Sequence, residues 1–164
     1  MRNAASCISV AAAPRPADAM KRRGRLCYVR CVPGGMPHFK KLTPNLLVAD
    51  VARSLAFYVD VLGFSRGMTV PDAPPFVFGS VTSDAVEIFF NETATAVKEY
   101  PALADRPIGA SGTMFIEMDA VEAYHTALQG KVTITMPLVT QWYGLKEFAI
   151  VDPDGYLITF AERV

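Results

Sequence analysis

Cysteine is scarce in this sequence of 164 residues, and its position limits what it can do. The three cysteines, Cys7, Cys27 and Cys31, all lie in the first quarter of the chain, and none occurs in residues 42–164. Disulfide bonds therefore cannot hold residues 42–164 together, and a segment without them suits a reducing compartment. We predict a cytoplasmic location.

Histidine is also scarce, and long apolar runs and phosphate-binding loops are lacking. The only histidines are His38 and His125, so residues 42–164 offer no Ser-His-Asp or Cys-His set for nucleophilic catalysis. No run approaches the ~18–20 apolar residues that a membrane helix needs. The glycines of VPGG (residues 32–35) precede no helix pattern, so they do not indicate a phosphate-binding loop. We predict no cofactor and no membrane partner.

The net charge of zero hides two segments of opposite sign. Residues 1–41 contain nine Lys or Arg and a single acid, Asp18, whereas residues 42–164 contain seven basic and fifteen acidic residues, a net charge of −8. Nucleic-acid affinity comes largely from Lys and Arg that neutralise phosphates, so we predict no nucleic-acid partner for the acidic segment. The negative charge of residues 42–164 favours a neutral or cationic small molecule as the ligand.

Residues 1–41 are basic, rich in Pro and Gly, and without sustained apolar periodicity, which predicts a disordered leader. One interpretation is a transit peptide, which is rich in Arg and poor in acids. A second is a zinc site formed by Cys27, Cys31 and His38, although a fourth ligand is missing. The third, which we favour, is that the natural chain starts at Met36 and that the upstream stretch is not translated.

Residues 42–164 alternate between strand and helix patterns in a repeated order. A helix pattern follows Asp50 and stops at Gly63, and a second follows Asp119 and stops at Gly130, which predicts both aspartates as helix N-caps. Residues 152–155, DPDG, are typical of a tight turn, because Pro presets φ and Gly accepts a positive φ. The predicted strands are residues 42–50, 64–70, 76–83, 85–92, 112–119, 131–138, 145–152 and 156–164.

This order describes one domain, residues 42–164, made of two β-α-β-β-β units. The first unit is residues 42–91, the second is residues 112–164, and residues 92–111 connect them, with a helical turn near residues 96–100. One helix covers only one face of a four-stranded sheet, so the other face must curve and enclose a concave space. We predict an α+β fold in which the units form a curved eight-stranded mixed sheet around a concave cleft, with the helices outside.

Two stretches of the domain resemble a known superfamily. LLVADVARSLAFYVDVLGF (residues 46–64) resembles the opening strand and helix of the vicinal oxygen chelate (VOC) superfamily, and EFAIVDPDGYLITFAE (residues 147–162) resembles its closing hairpin. This superfamily includes glyoxalase I, extradiol dioxygenases, fosfomycin resistance enzymes and bleomycin resistance proteins. The resemblance covers about residues 40–163 and implies the VOC fold, which hosts many chemistries.

The resemblance also implies where the enzymes of the superfamily hold a divalent metal. The ligand positions fall on Thr43, Glu87, Gly112 or Thr113, and Thr159 of this sequence, and only Glu87 is a good ligand. Zinc, manganese or iron needs about three His or carboxylate donors from the protein. We therefore predict no bound metal.

The second half is most similar to the bleomycin resistance proteins, in which Trp-Gly-x-x-Glu-Phe-Ala leads into Asp-Pro-x-Gly. Here the string is WYGLKEFAIVDPDG, with Tyr143 inserted between Trp142 and Gly144. The resemblance implies a metal-free homodimer that sequesters a large, cationic, aromatic drug in grooves lined by rings and acids. Such a ligand suits stacking aromatic rings and carboxylates. Whether Trp142 or Tyr143 lines the groove stays open.

The candidate ligand-binding residues are those that strand alternation or the resemblance directs to the cleft. Phe76 and Phe78 have the same strand parity, as do Glu87 and Phe89. The competing interpretation for the rings is packing in the core. The full set is Trp142, Tyr143, Phe76, Phe78, Asn45, Glu87, Phe89 and Glu117.

We predict a metal-free small-molecule-binding protein that sequesters a cationic or aromatic ligand in a dimer cleft. The alternative is a metal-dependent enzyme of the superfamily, a glyoxalase-like lyase or isomerase or a dioxygenase, which would use Glu87 and other donors. A metal-free enzyme with Glu87 as general base also stays open. Lys146 and Glu147 are interpreted as charges on the rim.

Overall fold

The computed structural model describes residues 39–109 and 112–164, and Lys41–Val164 form one compact unit. The predictions for the leader, for the zinc site and for a start at Met36 lie outside the described residues. Among the helices that are described, none is long and apolar enough to cross a membrane.

The described residues follow the predicted order of strands and helices, and the α+β fold class is confirmed. The predicted helix that follows Asp50 is α-helical for six residues and then continues as a π-helical turn, Phe57–Val61. The elements are β1 (Asn45–Val48), α1 (Val51–Ala56), β2 (Ser65–Val70), β3 (Phe78–Ser83), β4 (Val86–Glu92), α2 (Thr93–Glu99), a 3₁₀ turn (Pro101–Leu103), β5 (Thr113–Glu117), α3 (Val121–Leu128), β6 (Thr133–Thr140), β7 (Leu145–Val151) and β8 (Leu157–Arg163).

Each β-α-β-β-β unit builds its own four-stranded mixed sheet. The first sheet has the order β1-β4-β3-β2, and the second has the order β5-β8-β7-β6. In both sheets the first strand runs parallel to the last strand of the unit, and the other pairs are antiparallel. The helix supplies the long connection that leads away from the first strand. Among the described residues, no strand of the first sheet pairs with a strand of the second. The eight strands are thus hydrogen-bonded as two sheets rather than one.

Helices α1 and α3 begin in different ways. The carboxylate of Asp50 accepts hydrogen bonds from the amides of Ala52 and Arg53 at 2.8 and 3.2 Å, which confirms it as the N-cap of α1. The prediction that Asp119 caps α3 is wrong. Ala120, in a left-handed conformation with φ +56°, stands between Asp119 and the helix, and makes no side-chain cap.

The first amides of α3 are satisfied from another element. The carboxylate of Glu162, on β8, accepts hydrogen bonds from the amides of Ala120 and Val121 at 3.1 and 3.0 Å. These amides would otherwise lack a partner at the start of the helix. Glu162, 41 positions after Val121, therefore caps the start of α3 as the local residue Asp50 caps α1.

One hydrophobic core is shared by both units. In each sheet, every second residue of the central strands faces a helix and is buried, as strand alternation requires. Burial of these apolar side chains is the main contribution to folding. The core residues are Leu46, Val48, Val51, Leu55, Tyr58, Leu62, Phe64, Val81, Ile88, Phe90, Val121, Leu128, Phe148, Ile150, Ile158 and Phe160.

Three tyrosine hydroxyl groups connect the two units by hydrogen bonds. The hydroxyl of Tyr58 donates to the carboxylate of Asp152 at 3.1 Å, and burial raises the pKa of both groups above its ordinary value. The hydroxyls of Tyr124 and Tyr156 donate to backbone carbonyls of the first unit at 2.8 and 2.9 Å. These bonds satisfy polar groups inside the core and fix the units against each other.

The DPDG turn also contacts the first unit. Its Gly155 has φ +89°, as predicted for the last residue of the turn, and its amide donates to the carbonyl of Asp152. The carboxylate of Asp154 accepts hydrogen bonds from the side chains of Arg53 and Ser54 on α1, at 2.6 and 3.1 Å. The turn therefore anchors the start of α1 as well as closing the last hairpin.

Candidate functional site

The first sheet has one face on the core and one face away from it. Ile88 and Phe90 of β4 are fully buried in the core, so their neighbours along β4 point to the opposite side. The register places residues of β1 and β3 beside them, because residues paired across strands point the same way. We call this side the first open face; it carries Asn45, Phe78, Glu87, Phe89 and Asn91.

Two aromatic rings and two amides form the centre of the first open face. The rings of Phe78 and Phe89 pack edge to face, with centroids 5.2 Å apart and an interplanar angle of 69°. The side chain of Asn91 donates a hydrogen bond to that of Asn45, across the parallel pair of β1 and β4. The arrangement offers an apolar surface with hydrogen-bonding groups beside it, as small-molecule sites do.

Glu87 lies on the same face and is held by the segment before β1. Its Oε2 accepts hydrogen bonds from the Lys41 ammonium at 2.5 Å and from the Thr43 hydroxyl at 3.3 Å. The hydrogen bond from Lys41 holds the pKa of Glu87 below its ordinary value, against a smaller opposite effect of desolvation. Glu87 is therefore a charged carboxylate with a cation already beside it.

Among the described residues at the metal positions of the VOC enzymes, only Glu87 is a good metal ligand. Thr43 uses its hydroxyl on Glu87, and Thr159 faces away from the core between Phe115 and Ala149. Among residues 39–109 and 112–164, no three His, Cys, Asp or Glu side chains come together to hold a metal ion. The residues at the superfamily's ligand positions do not fit such a metal.

Phe76 does not share a face with Phe78, although their spacing in sequence suggests that it does. Phe76 precedes β3 and packs against the core on the helix side, with the Arg66 guanidinium 5.0 Å from the centre of its ring. Strand alternation applies only within a strand, and β3 begins at Phe78. The structure therefore separates Phe76 from the other candidates.

The second sheet has a corresponding face away from the core. Phe148 and Ile150 of β7 are buried in the core, so Glu147 and Ala149 point to the other side. The register aligns Glu147 with Val139 on β6 and, across Ala161 of β8, with Glu117 on β5. We call this side the second open face; it carries Phe115, Glu117, Val139, Glu147, Ala149, Thr159 and Ala161.

Trp142 and Tyr143 lie in the turn that leads into β7. Gly144 ends this turn with φ +82°, a conformation that a glycine adopts without strain. Trp142 is 93 % exposed, Tyr143 is 47 % exposed, and their rings meet edge to face with centroids 5.4 Å apart. The Tyr143 hydroxyl donates a 2.6 Å hydrogen bond to Oε1 of Glu147, and this bond raises the pKa of Tyr143. Tyr143 is thus tied to the second open face, while Trp142 projects from it.

Glu147 is not a rim charge. It is only 5 % exposed, because it stands between Val139 and Ala161 in the middle of the second sheet. Lys146 points the opposite way, toward Glu122 of α3 at 3.2 Å. Strand alternation could have predicted that Glu147 points away from the core, since it has the parity opposite to the core residue Phe148.

Asn91 is a second residue that the sequence interpretation missed. It follows Phe89 by two positions on β4 and therefore shares its face. Glu117, which was a candidate, does lie on the second open face, 4.0 Å from the guanidinium of Arg163. The candidates thus form one group on the first sheet (Asn45, Phe78, Glu87, Phe89) and one on the second (Trp142, Tyr143, Glu117).

A cavity of about 620 Å³ lies between the two units, and Glu117 is the residue that it shares with the open faces. Its walls come from the end of the π-helical turn, the β3–β4 turn, the end of β5 and the end of β8. Glu117 is the one sequence candidate among its lining residues, and Asp84, Asp119 and Glu162 add further carboxylates.

Known proteins resemble this chain in sequence and in fold. A family model described as the Glyoxalase/Bleomycin resistance protein/Dioxygenase superfamily matches residues 35–160. The chain belongs to this superfamily. The curated bleomycin resistance protein of Geobacillus stearothermophilus is 24 % identical over 125 residues, which cover 74 % of this chain and 95 % of that protein.

Two solved structures have a similar fold. One is the bleomycin-binding protein of the bleomycin producer Streptomyces verticillus, complexed with copper(II)-bleomycin, at 25 % identity and a TM-score of 0.53, covering 76 % of this chain and 97 % of that one. The other is TnmS3, an antibiotic-binding protein of Streptomyces sp. CB03234, at 21 % identity and a TM-score of 0.61, covering 79 % and 99 %. The VOC fold of this superfamily member is therefore confirmed.

Proposed function

We propose that this protein is a homodimer that binds and sequesters a cationic or aromatic small molecule without a metal and without breaking bonds. The observation that carries the proposal is the turn before β7. Trp142 is almost wholly exposed there and contributes little to the core, while its neighbour Tyr143 is fixed by Glu147. An exposed large ring beside an anchored one suits stacking with a flat ligand.

The relatives support this class of ligand. The similar proteins named above are described as conferring bleomycin resistance or as binding bleomycin or another antibiotic. The ring pair Phe78–Phe89 with its flanking amides, and the carboxylates Glu117 and Glu147, supply the stacking and charge that such molecules need. The ligand of this chain need not be bleomycin.

The open faces support a dimer. Phe115 and Val139 on the second open face are 52 % and 40 % exposed, and Met68 and Val70 on the edge strand β2 are also exposed. Apolar side chains in such positions are typical of surfaces that another chain covers. A second copy would turn these open faces into the walls of a cleft.

Neither enzyme alternative gains support from the site. Of the superfamily's metal positions, all of which lie within the described residues, only Glu87 carries a side chain that is a good metal ligand. A general base at neutral pH works best with a carboxyl pKa near 7, whereas the Lys41 contact moves the pKa of Glu87 in the opposite direction. The cytoplasmic location stays a prediction from the cysteine content of residues 42–164.

Titration with metal-free bleomycin and with 9-aminoacridine, a flat cation, tests the proposal. Trp142 is the only tryptophan, so its fluorescence reports directly on the turn, and calorimetry gives the stoichiometry. We expect quenching, binding that is unchanged by EDTA, and a dimer in sedimentation experiments. The variant Tyr100→Ala, which removes another exposed ring outside the turn, should bind as the wild type does. Absence of binding to both compounds would contradict sequestration, and a monomer would contradict the dimer cleft.

A further inference from the structure

Two amide side chains meet on the first open face, and their hydrogen-bonding capacity is only partly used. The Nδ2 of Asn91 donates to the Oδ1 of Asn45, between the parallel strands β4 and β1. An amide side chain carries one acceptor oxygen and two N–H donors. Among residues 39–109 and 112–164, neither amide makes a second side-chain hydrogen bond, so the Nδ2 of Asn45 and the Oδ1 of Asn91 remain open to a ligand. Asn45 is exposed and Asn91 is half-buried, so a ligand can reach both.

The strand register places the amide pair directly beside the ring pair. Asn45 lies level with Phe89, and Asn91 lies level with Phe78. Neighbouring strands of a sheet are about 5 Å apart, so each amide is one strand away from a ring. The two rings pack edge to face and are only half-buried, which leaves part of their surface open to a third ring. A flat ligand on these rings therefore brings a polar group at its edge to the amides.

The first open face differs from the second in charge. Glu87 is already paired with the Lys41 ammonium, whose side chain is 52 % exposed, so an arriving cation meets a positive charge on this face. The second open face instead carries the two acids Glu117 and Glu147. The first open face thus suits a neutral polar group, which amides bind without the desolvation cost of a charge.

We propose that Asn45 and Asn91 recognise a neutral planar amide or lactam of the ligand, with Asn45 Nδ2 donating to its carbonyl oxygen and Asn91 Oδ1 accepting from its N–H. The ring that carries this group packs on Phe78 and Phe89. The inference rests on the proposed small-molecule binding and names the neutral group that the first open face selects. An ammonium offers no acceptor to Asn45, and a carboxylate offers no donor to Asn91, so neither satisfies both.

Two probes of nearly the same shape test the donor–acceptor pattern. 2-Naphthamide has a carbonyl oxygen and an amide N–H, whereas 2-acetonaphthone keeps the carbonyl oxygen and has a methyl group in place of the NH₂. We expect the full wild-type chain to bind the amide about two- to tenfold more tightly in calorimetry, the effect of one additional hydrogen bond. Equal affinities for the two probes would overturn the inference.

Two variants then assign the two halves of the amide pair. Asn45→Asp keeps the oxygen that accepts from Asn91 but removes the donor to the ligand, so it should weaken binding of the ketone by about two- to tenfold. Asn91→Leu has a similar size but no acceptor, so it should bring the ratio of the two affinities close to one. The matched control is Thr82→Val, which removes a hydroxyl from the same face, level with Glu87, and should change each affinity by less than about twofold.

Labelling of asparagine with ¹⁵N locates the contact. The chain has three asparagines, Asn3, Asn45 and Asn91, and the two variants identify the side-chain N–H signals of the latter two. We expect 2-naphthamide to shift both of these signals. Binding of the probe that shifts neither signal would place it elsewhere and would overturn the inference.

The outcomes separate this inference from the proposed function. If neither naphthalene probe, nor bleomycin, nor 9-aminoacridine binds the wild type, both fail. If bleomycin or 9-aminoacridine binds but the wild type does not prefer the amide over the ketone, only the inference fails. An Asn91→Leu variant that keeps the preference likewise overturns it. If that variant does not fold, the ratio in the wild type and the affinity of Asn45→Asp for the ketone still decide.

Discussion

The hydrogen bond between Tyr58 and Asp152 offers a quantitative test of how the two units are held together. Tyr58 is fully buried in the π-helical turn of the first unit, and Asp152, at the end of β7, is 5 % exposed. The variant Tyr58→Phe keeps the ring and its packing but removes the hydroxyl that donates to Oδ2 of Asp152. A buried carboxylate oxygen is then left without that partner.

We expect this substitution to cost about 1–3 kcal/mol of the free energy of unfolding, which is the penalty for leaving a buried polar group unsatisfied. For a domain of the size of residues 42–164, this loss corresponds to a fall in melting temperature of roughly 5–15 °C. Urea unfolding should show a lower midpoint with an unchanged slope, because the surface exposed on unfolding does not change.

The variants Tyr124→Phe and Tyr156→Phe are matched controls, because each removes a hydroxyl that also joins the units but that donates to a neutral backbone carbonyl. These should cost less, about 0.5–1.5 kcal/mol each. If Tyr58→Phe loses no more free energy of unfolding than the two controls do, the extra penalty assigned to the buried carboxylate of Asp152 is wrong.

The pH dependence of Tyr58→Phe provides a second check. Burial raises the pKa of Asp152 above its ordinary value, and the bond from Tyr58 opposes this rise. Without that bond the pKa rises further. A carboxyl with a raised folded-state pKa destabilises the protein at neutral pH, and this effect disappears as the pH falls through the folded-state pKa. The difference between wild type and variant should therefore shrink on acidification, and a difference that grows would contradict the assignment.

Three further predictions concern separate sites. Lys41→Met should lower stability at neutral pH relative to wild type, and the difference should vanish as the pH falls below 4.5, because Lys41 is the main cause that lowers the pKa of Glu87; a pH-independent difference in melting temperature would count against this. Gly79→Ala should cost about 1–3 kcal/mol in urea unfolding, since its Cβ would lie 2.9 and 3.0 Å from two side chains of α1, whereas Gly112→Ala, with nothing within 4 Å, should be nearly neutral. Trp142→Ala should change the free energy of unfolding by less than about 0.5 kcal/mol but weaken 9-aminoacridine binding, followed by calorimetry, by about five- to thirtyfold; equal losses of stability and affinity would point to a structural role.

Local rules explain why the order of elements could be predicted from the sequence. Asp50 caps α1 because its side chain reaches amides two and three residues ahead, and DPDG turns because its proline and glycine prefer the required backbone angles. Strand alternation likewise placed Glu87 and Phe89 on one face. Each of these features depends on neighbours that are close in the chain.

The same rules failed where the deciding contact is distant or where an element ends. Phe76 and Phe78 have equal parity in sequence, but β3 starts only at Phe78, so they lie on different sides. The cap of α3 comes from Glu162, on a strand that the sequence does not connect with the start of that helix. No local sequence pattern predicts the side on which Phe76 lies or the residue that caps α3.

The superfamily and the two repeated units could be predicted from residue type and spacing, because both depend on patterns along one chain. The tyrosine hydroxyls that join the units, and the burial of Glu147 with no partner for its Oε2 among the described residues, could not be predicted in this way and are seen only in the folded chain. The physical reason is that burial and hydrogen-bond satisfaction depend on strands β6, β7 and β8 meeting in one register, which residue type alone does not specify.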